Sequence, residues 1–152
     1  MRIKFFLNHA YNSYLNFRFL VWFVFIHEFI FDFYQLEGES MIPTFNAFGD
    51  IVIVEKISKS IGTYKAKKGE IICLTNPVNE NMSLCKRIIH LEGETVQLSN
   101  GNEYVVPKNH IWVEGDNKSN SLDSRKFGAV PLQMIQGRVY FQIWPKLLYL
   151  KH

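Results

Sequence analysis

The chain has 152 residues and a formal net charge of +3, with 47% hydrophobic and 20% charged residues. This composition excludes a disordered chain, which lacks the apolar surface needed to offset ordering entropy, and the length suits one small domain with an appendage. The near-balanced charge, with no basic run interleaved with aromatics, argues against a nucleic-acid partner.

Phenylalanines crowd the N-terminus. Phe19 to Leu36 reads FLVWFVFIHEFIFDFYQL, close to the roughly 20 residues that a spanning helix needs. Residues 1–36 are therefore expected to form an N-terminal segment carrying a membrane-anchor helix. His27, Glu28 and Asp32 interrupt it, and each charge near the centre of a span costs about 2.5–3.5 kcal/mol. Glu28, Asp32 and Gln35 share one face of such a helix, which suits a partner helix or the headgroup layer, or else an amphipathic helix lying in the interface. A buried core helix is the other alternative. No small-residue cleavage site follows, which favours a retained anchor over a removed leader. Arg2, Lys4 and Arg18 precede it and place the remaining domain across the membrane from the N-terminus.

From residue 37 to residue 152 the pattern is that of a small, mostly antiparallel β domain. Strand-like runs cover Asp50–Lys56, Gly69–Thr75, Ser83–Leu91, Glu94–Leu98, His110–Gly115 and Gly137–Trp144, by their β-branched content and spacing. Asn76-Pro77, Glu92-Gly93 and Asn100-Gly101 supply turn chemistry, the last being a strong hairpin signal. Cys73 and Cys85 are too few for a disulfide scaffold and sit in apolar runs, as buried thiols do. The histidines are scattered and form no ligand motif, so no metal or cofactor is expected.

Three segments hold candidate chemistry. In Gly38-Glu39-Ser40-Met41-Ile42-Pro43-Thr44, Pro43 forces Ile42 into an extended conformation, so Ser40 precedes a stiff bend. In Cys85-Lys86-Arg87-Ile88-Ile89, strand parity puts Lys86 on a face with Leu84 and Ile88 and turns Arg87 the other way. An amine among apolar groups has its charged form disfavoured and can then accept a proton from a hydroxyl. Gly115-Asp116-Asn117 through Ser121-Leu122-Asp123-Ser124-Arg125 is dense in short side chains that order loops. Taken singly, these segments also read as a loop serine, a snorkelling lysine and a polar surface loop.

In this order the segments resemble the type I signal peptidase family of Ser–Lys proteases. The likeness runs through Ser40-Met41-Ile42-Pro43-Thr44, Gly49-Asp50-Ile51-Val52, Lys86-Arg87-Ile88-Ile89, Glu92-Gly93-Glu94 and Gly115-Asp116-Asn117 to Lys126-Phe127-Gly128, covering Leu36 to about Pro145. Within the family it is similar to the mitochondrial inner membrane branch, of the subunit 1 type. Gly38-Glu39-Ser40, Cys85-Lys86-Arg87, the run His110 to Asn117, Arg125, and the closing Gly137 to Pro145 carry that narrower likeness.

The resemblance implies a serine endopeptidase with Ser40 as nucleophile and Lys86 as general base. It implies that Ser121 orients the lysine, and that Asp123 and Arg125 form a supporting salt bridge. Arg87, facing away from Lys86, is expected to bond Asp123 and brace the strand. The Ser40 N–H is the expected oxyanion donor. Gly38 stands where many bacterial relatives carry a serine that supplies the second donor. The implied partners are precursor proteins with cleavable sorting peptides, the mitochondrial inner membrane and a sister peptidase subunit, with the catalytic domain facing the intermembrane space. A non-catalytic scaffold subunit and a general signal peptidase with Ala-x-Ala preference are the alternatives.

Overall fold

The structure, a computed structural model, describes residues 14–24 and 30–150. Residues 14–24 form a helix (α1) whose aromatic and aliphatic side chains are mostly exposed. The rest is built from ten strands: β1 (Phe31–Glu37), β2 (Phe48–Glu55), β3 (Ile71–Thr75), β4 (Ser83–His90), β5 (Thr95–Gln97), β6 (Glu103–Val105), β7 (His110–Glu114), β8 (Val130–Pro131), β9 (Ile135–Trp144) and β10 (Leu148–Tyr149). Two single-turn helices, α2 (Ile57–Ser60) and α3 (Ser124–Phe127), lie between them.

All strand pairings are antiparallel. The main sheet runs β1-β2-β9-β3-β4-β7-β8, with β10 added beside β9, and β5 and β6 form a separate hairpin. That hairpin closes at Asn100-Gly101 as the turn chemistry predicts, with Gly101 at φ 83 and Leu98 N–H bonded to Asn102 O at 2.8 Å.

The run Ile71-Ile72-Cys73-Leu74 is buried throughout because both faces of β3 are covered. Ile71 and Cys73 join Met41, Phe45, Val52, Val54 and Val139 on one side. Ile72 and Leu74 join Ile88, Ile111, Val113, Val130 and Ile135 on the other. A strand covered on both faces reads as a continuous apolar run rather than an alternating one.

The expected helix over Phe19–Leu36 is corrected at its C-terminal end, where Phe31–Glu37 is a strand. Its backbone pairs with β2 from Phe31↔Glu55 onward, and its burial alternates with a period of two. Asp32 and Gln35 therefore lie on opposite faces and form no polar stripe. Asp32 instead meets Lys56 at 3.2 Å. The dense aromatics masked the alternation, since Phe31 and Phe33 are on the exposed face. His27 and Glu28 lie outside the described residues. Among the described residues no helix is long and apolar enough to cross a membrane.

Strand β4, which carries Lys86, is anchored by a buried ionic cluster. The Glu70 carbonyl accepts the Ile88 N–H at 2.9 Å. Its fully buried carboxylate accepts from Arg138 Nη1 at 2.8 Å, Tyr64 Oη at 3.0 Å and Lys67 N at 3.2 Å. Removing one partner of such a pair leaves the other charge buried without its nearest counter-ion, here Arg138, whose remaining acid is Glu55 at 3.8 Å. Glu70→Ala is expected to lower the unfolding free energy by about 3–5 kcal/mol, measured by denaturant titration; a change within experimental scatter would show that the cluster is solvated.

Candidate active site

Ser40 lies in a 3-10 turn (Glu39–Met41) that follows β1 and Gly38. Gly38 has φ 106, a conformation open mainly to glycine, and its N–H bonds Ala47 O at 2.7 Å. Met41 and Phe45 are buried and pin the turn to the core. Ile42 is extended (φ −64, ψ 137) ahead of Pro43, as expected. The turn is also held from the loop after β7. Asn117 N donates to Ser40 O at 3.0 Å, Asn117 Nδ2 to Glu39 O at 3.1 Å and Asn120 Nδ2 to the Glu39 carboxylate at 2.8 Å.

Lys86 is 3% exposed. Its Nζ donates to Ser40 Oγ at 2.7 Å and to Cys85 O at 2.9 Å. Burial lowers its pKa, partly offset by the acidic groups Cys85, Asp123, Cys73 and Asp116 around it. The two residues separated by 46 positions in the chain thus share one hydrogen bond. A hydroxyl this close to an amine whose charge is disfavoured can pass it a proton.

The supporting residues are brought near, with one rearranged partnership. Asp123 is bridged by Arg125 through Nε at 2.9 Å and Nη2 at 2.7 Å, as expected. It also caps α3 by accepting from Arg125 N and takes the Gly115 N–H at 2.9 Å. Burial pushes the Asp123 pKa up, but these hydrogen bonds outweigh it and hold the carboxyl at about 2. Arg87 does not bond Asp123. It forms a bidentate pair with Asp116 (Nε 2.8 Å, Nη2 2.7 Å), and its Nη1 donates to Gly69 O at 2.7 Å. Parity correctly turned Arg87 away from Lys86, but the acid on that side is the one directly after Gly115. Ser121 is buried close to Ser40, yet its Oγ has no hydrogen-bond partner among the described residues.

Sequence reasoning missed Asp116, Thr44, Asn117 and Gly115. Thr44 Oγ1 donates to Asp116, so the Ser40 turn and the Lys86 strand meet on one carboxylate. That carboxylate feels burial, which raises its pKa, and the Arg87 and Thr44 hydrogen bonds, which together lower it further. The signal was available: an unassigned acid inside a motif, beside an arginine on the strand of Lys86. Among the described residues no group of three or more His, Cys, Asp or Glu side chains is placed to hold a metal ion.

A cleft open to solvent leads to Ser40 and Lys86. Residues 34–38 line one side and residues 83–86 the other, with Met41, Phe45 and Cys73 at its floor. Both sides are strand edges. β1 ends the sheet, and β7 pairs with β4 only from Arg87 onward.

A mainly antiparallel β domain with a buried Ser–Lys contact beside an edge-lined cleft has the construction of a peptidase that binds extended chains. The chain belongs to the signal peptidase family, peptidase S26, whose family model matches residues 12–105 and 98–144. It is 33% identical over 123 residues to mitochondrial inner membrane protease subunit 1 of Schizosaccharomyces pombe, covering 79% of this chain and 78% of that protein. It is 38% identical over 113 residues to the Homo sapiens subunit 1 (71% and 66%). It is 37% identical over 117 residues to mitochondrial inner membrane protease subunit 2 of Danio rerio (73% and 63%).

Two outcomes follow from this geometry. A Cβ at position 115 would fall on Ser121 Oγ and the Ser40 carbonyl oxygen, so Gly115→Ala is expected to destabilise by about 1–3 kcal/mol through overpacking, read by denaturant unfolding; an unchanged midpoint would contradict the close approach. The Asp123 carboxyl, near 3.8 when unfolded and about 2 when folded, contributes stability that is present above 3.8 and lost as pH falls towards 2. The stability difference between wild type and Asp123→Asn should shrink across that window, and a difference independent of pH there would refute the pairing.

Proposed function

We propose that the chain is a membrane-bound serine endopeptidase that removes sorting peptides from proteins delivered to the mitochondrial intermembrane space, with Ser40 as nucleophile and Lys86 as general base. The 2.7 Å contact between Lys86 Nζ and Ser40 Oγ, buried at the end of the cleft in an S26-family chain, carries this reading. The relatives named inner membrane protease subunits support the membrane and the compartment. The same names support a hetero-oligomer with a sister subunit. The exposed apolar side chains of α1, and separately those of Phe31, Phe33, Phe48 and Trp144 on the sheet, support the N-terminal segment as the anchor and the remaining β structure as the catalytic domain beside the bilayer. The domain would then face the intermembrane space.

In the mechanism, a substrate segment lies extended between the two free edges and gains main-chain hydrogen bonds there. Neutral Lys86 takes the Ser40 hydroxyl proton as Oγ attacks the scissile carbonyl carbon. The Ser40 N–H, which has no acceptor among the described residues, is aimed at the developing oxyanion. Gly38 cannot add a backbone donor, since its N–H already serves Ala47. Collapse breaks the C–N bond, and the lysine ammonium returns its proton to the leaving amine. Water then attacks the Ser40 ester while Lys86 takes the water proton, and the acid product leaves with Ser40 restored. Ser121, buried beside the Ser40 turn, is the side chain the family resemblance assigns to orienting Lys86.

Ser40→Ala and Lys86→Met are each expected to reduce cleavage of a sorting-peptide precursor by about a thousandfold or more while leaving the domain folded by circular dichroism. Near-normal activity in either variant sinks the assignment. The rate must rise with pH as Lys86 loses its proton, and because burial lowers that pKa the rise must come below the pH at which an exposed lysine titrates. A profile that follows an ordinary lysine would exclude Lys86 as the base.

A further inference from the structure

The register of β3 on β4 sets Cys73 directly opposite Cys85. The Ile88 N–H donates to Glu70 O, which marks position 70/88 as a hydrogen-bonded one. The kinds alternate along an antiparallel ladder, so 72/86 is hydrogen-bonded and 73/85 is not. Non-hydrogen-bonded partners have Cα atoms about 4.5 Å apart with their side chains turned together, within the roughly 4.4–6.8 Å that a disulfide spans. Both thiols are free. They also line the cleft: Cys85 is half-buried and reachable, whereas Cys73 is 2% exposed behind it.

We propose that Cys73 and Cys85 form a reversible disulfide site in the wall of the cleft, and that closing it slows cleavage. The second half rests on the Ser40–Lys86 reading; the first does not. The coupling is direct, because the Cys85 carbonyl holds Lys86 Nζ at 2.9 Å. A bond that draws Cys85 towards β3 changes the wall of the cleft and shifts the residue that aims the amine.

The oxidant required is a low-molecular-weight disulfide. The Cys85 thiolate attacks one of its sulfurs, forming a mixed disulfide and releasing one thiol. Cys73 then loses its proton and attacks the Cys85 sulfur, expelling the second thiol. Two protein thiols become one disulfide, and the small disulfide becomes two thiols. The order follows from access, and from the Cys73 proton being held tightly by the neighbouring Cys85 thiol and by burial.

The test incubates the full chain in detergent with oxidised glutathione. Peptide mapping should find a Cys73–Cys85 disulfide with both thiols closed to alkylation, in wild type and in Ser40→Ala alike. Cys73→Ala should instead retain a glutathione adduct on Cys85, with Cys85→Ala as the reciprocal control. Precursor cleavage by the oxidised wild type should fall about tenfold or more, as small displacements of a catalytic group cause, and return with dithiothreitol. Thiols that remain alkylatable overturn the site. An oxidised protein that cleaves at the reduced rate overturns the coupling. Cleavage surviving in Ser40→Ala while the disulfide forms would sink the Ser40–Lys86 reading and leave the site standing.

Discussion

The site depends on one constraint: a primary amine is kept out of water with no carboxylate in contact. Among the described residues Lys86 bonds two neutral oxygens, those of Ser40 and Cys85. A buried ammonium without a counter-charge is costly, so the neutral form gains ground. Two acids lie close enough to restore the charge, but each is held by an arginine. Asp116 is clamped by Arg87 and Asp123 by Arg125. The salt bridges thus fix the loops and, equally, keep their carboxylates turned from the amine. An aspartate released from either arginine would favour the ammonium and oppose proton uptake.

The same bonds order Ser40. The Ser40 turn has little regular structure of its own, and a three-residue turn cannot be rigid unaided. It gains rigidity from Met41 and Phe45 in the core, from Thr44 on Asp116, and from Asn117 on the Ser40 and Glu39 carbonyls. Because Asp116 contacts both Thr44 and Arg87, a shift of the turn and a shift of β4 are linked through one carboxylate. Placement of reacting groups to a fraction of an ångström needs this kind of cross-support.

Much of this was legible in the residues. Alternation, Asn100-Gly101 and the runs around Ile71 and Ile88 announced a β domain, while the grouping of the Ser40, Lys86 and Ser121–Arg125 segments came only through the family resemblance. Parity placed Arg87 correctly but not its partner, because Asp116 and Asp123 sit seven positions apart in one polar loop and only the folded path of that loop separates them. The strand at Phe31–Glu37 was hidden for a different reason. Its outward face carries Phe31 and Phe33, so the apolar signal continued unbroken from the helix before it. Local composition cannot separate the two when an exposed strand face is itself aromatic.

The strand ending matters to the chemistry as well as to the assignment. Had β1 remained helical, the cleft would have one strand edge instead of two. The second edge arises because β7 leaves β4 at Arg87, where the chain turns through Gly115 into the loop that carries Asp116. Gly115 has no room for a side chain against Ser40 and Ser121, so this departure lies close against Ser40. One break in pairing therefore frees an edge, lets the loop reach the Ser40 turn, and leaves Lys86 beside Cys85 on β4, with Cys73 across on β3.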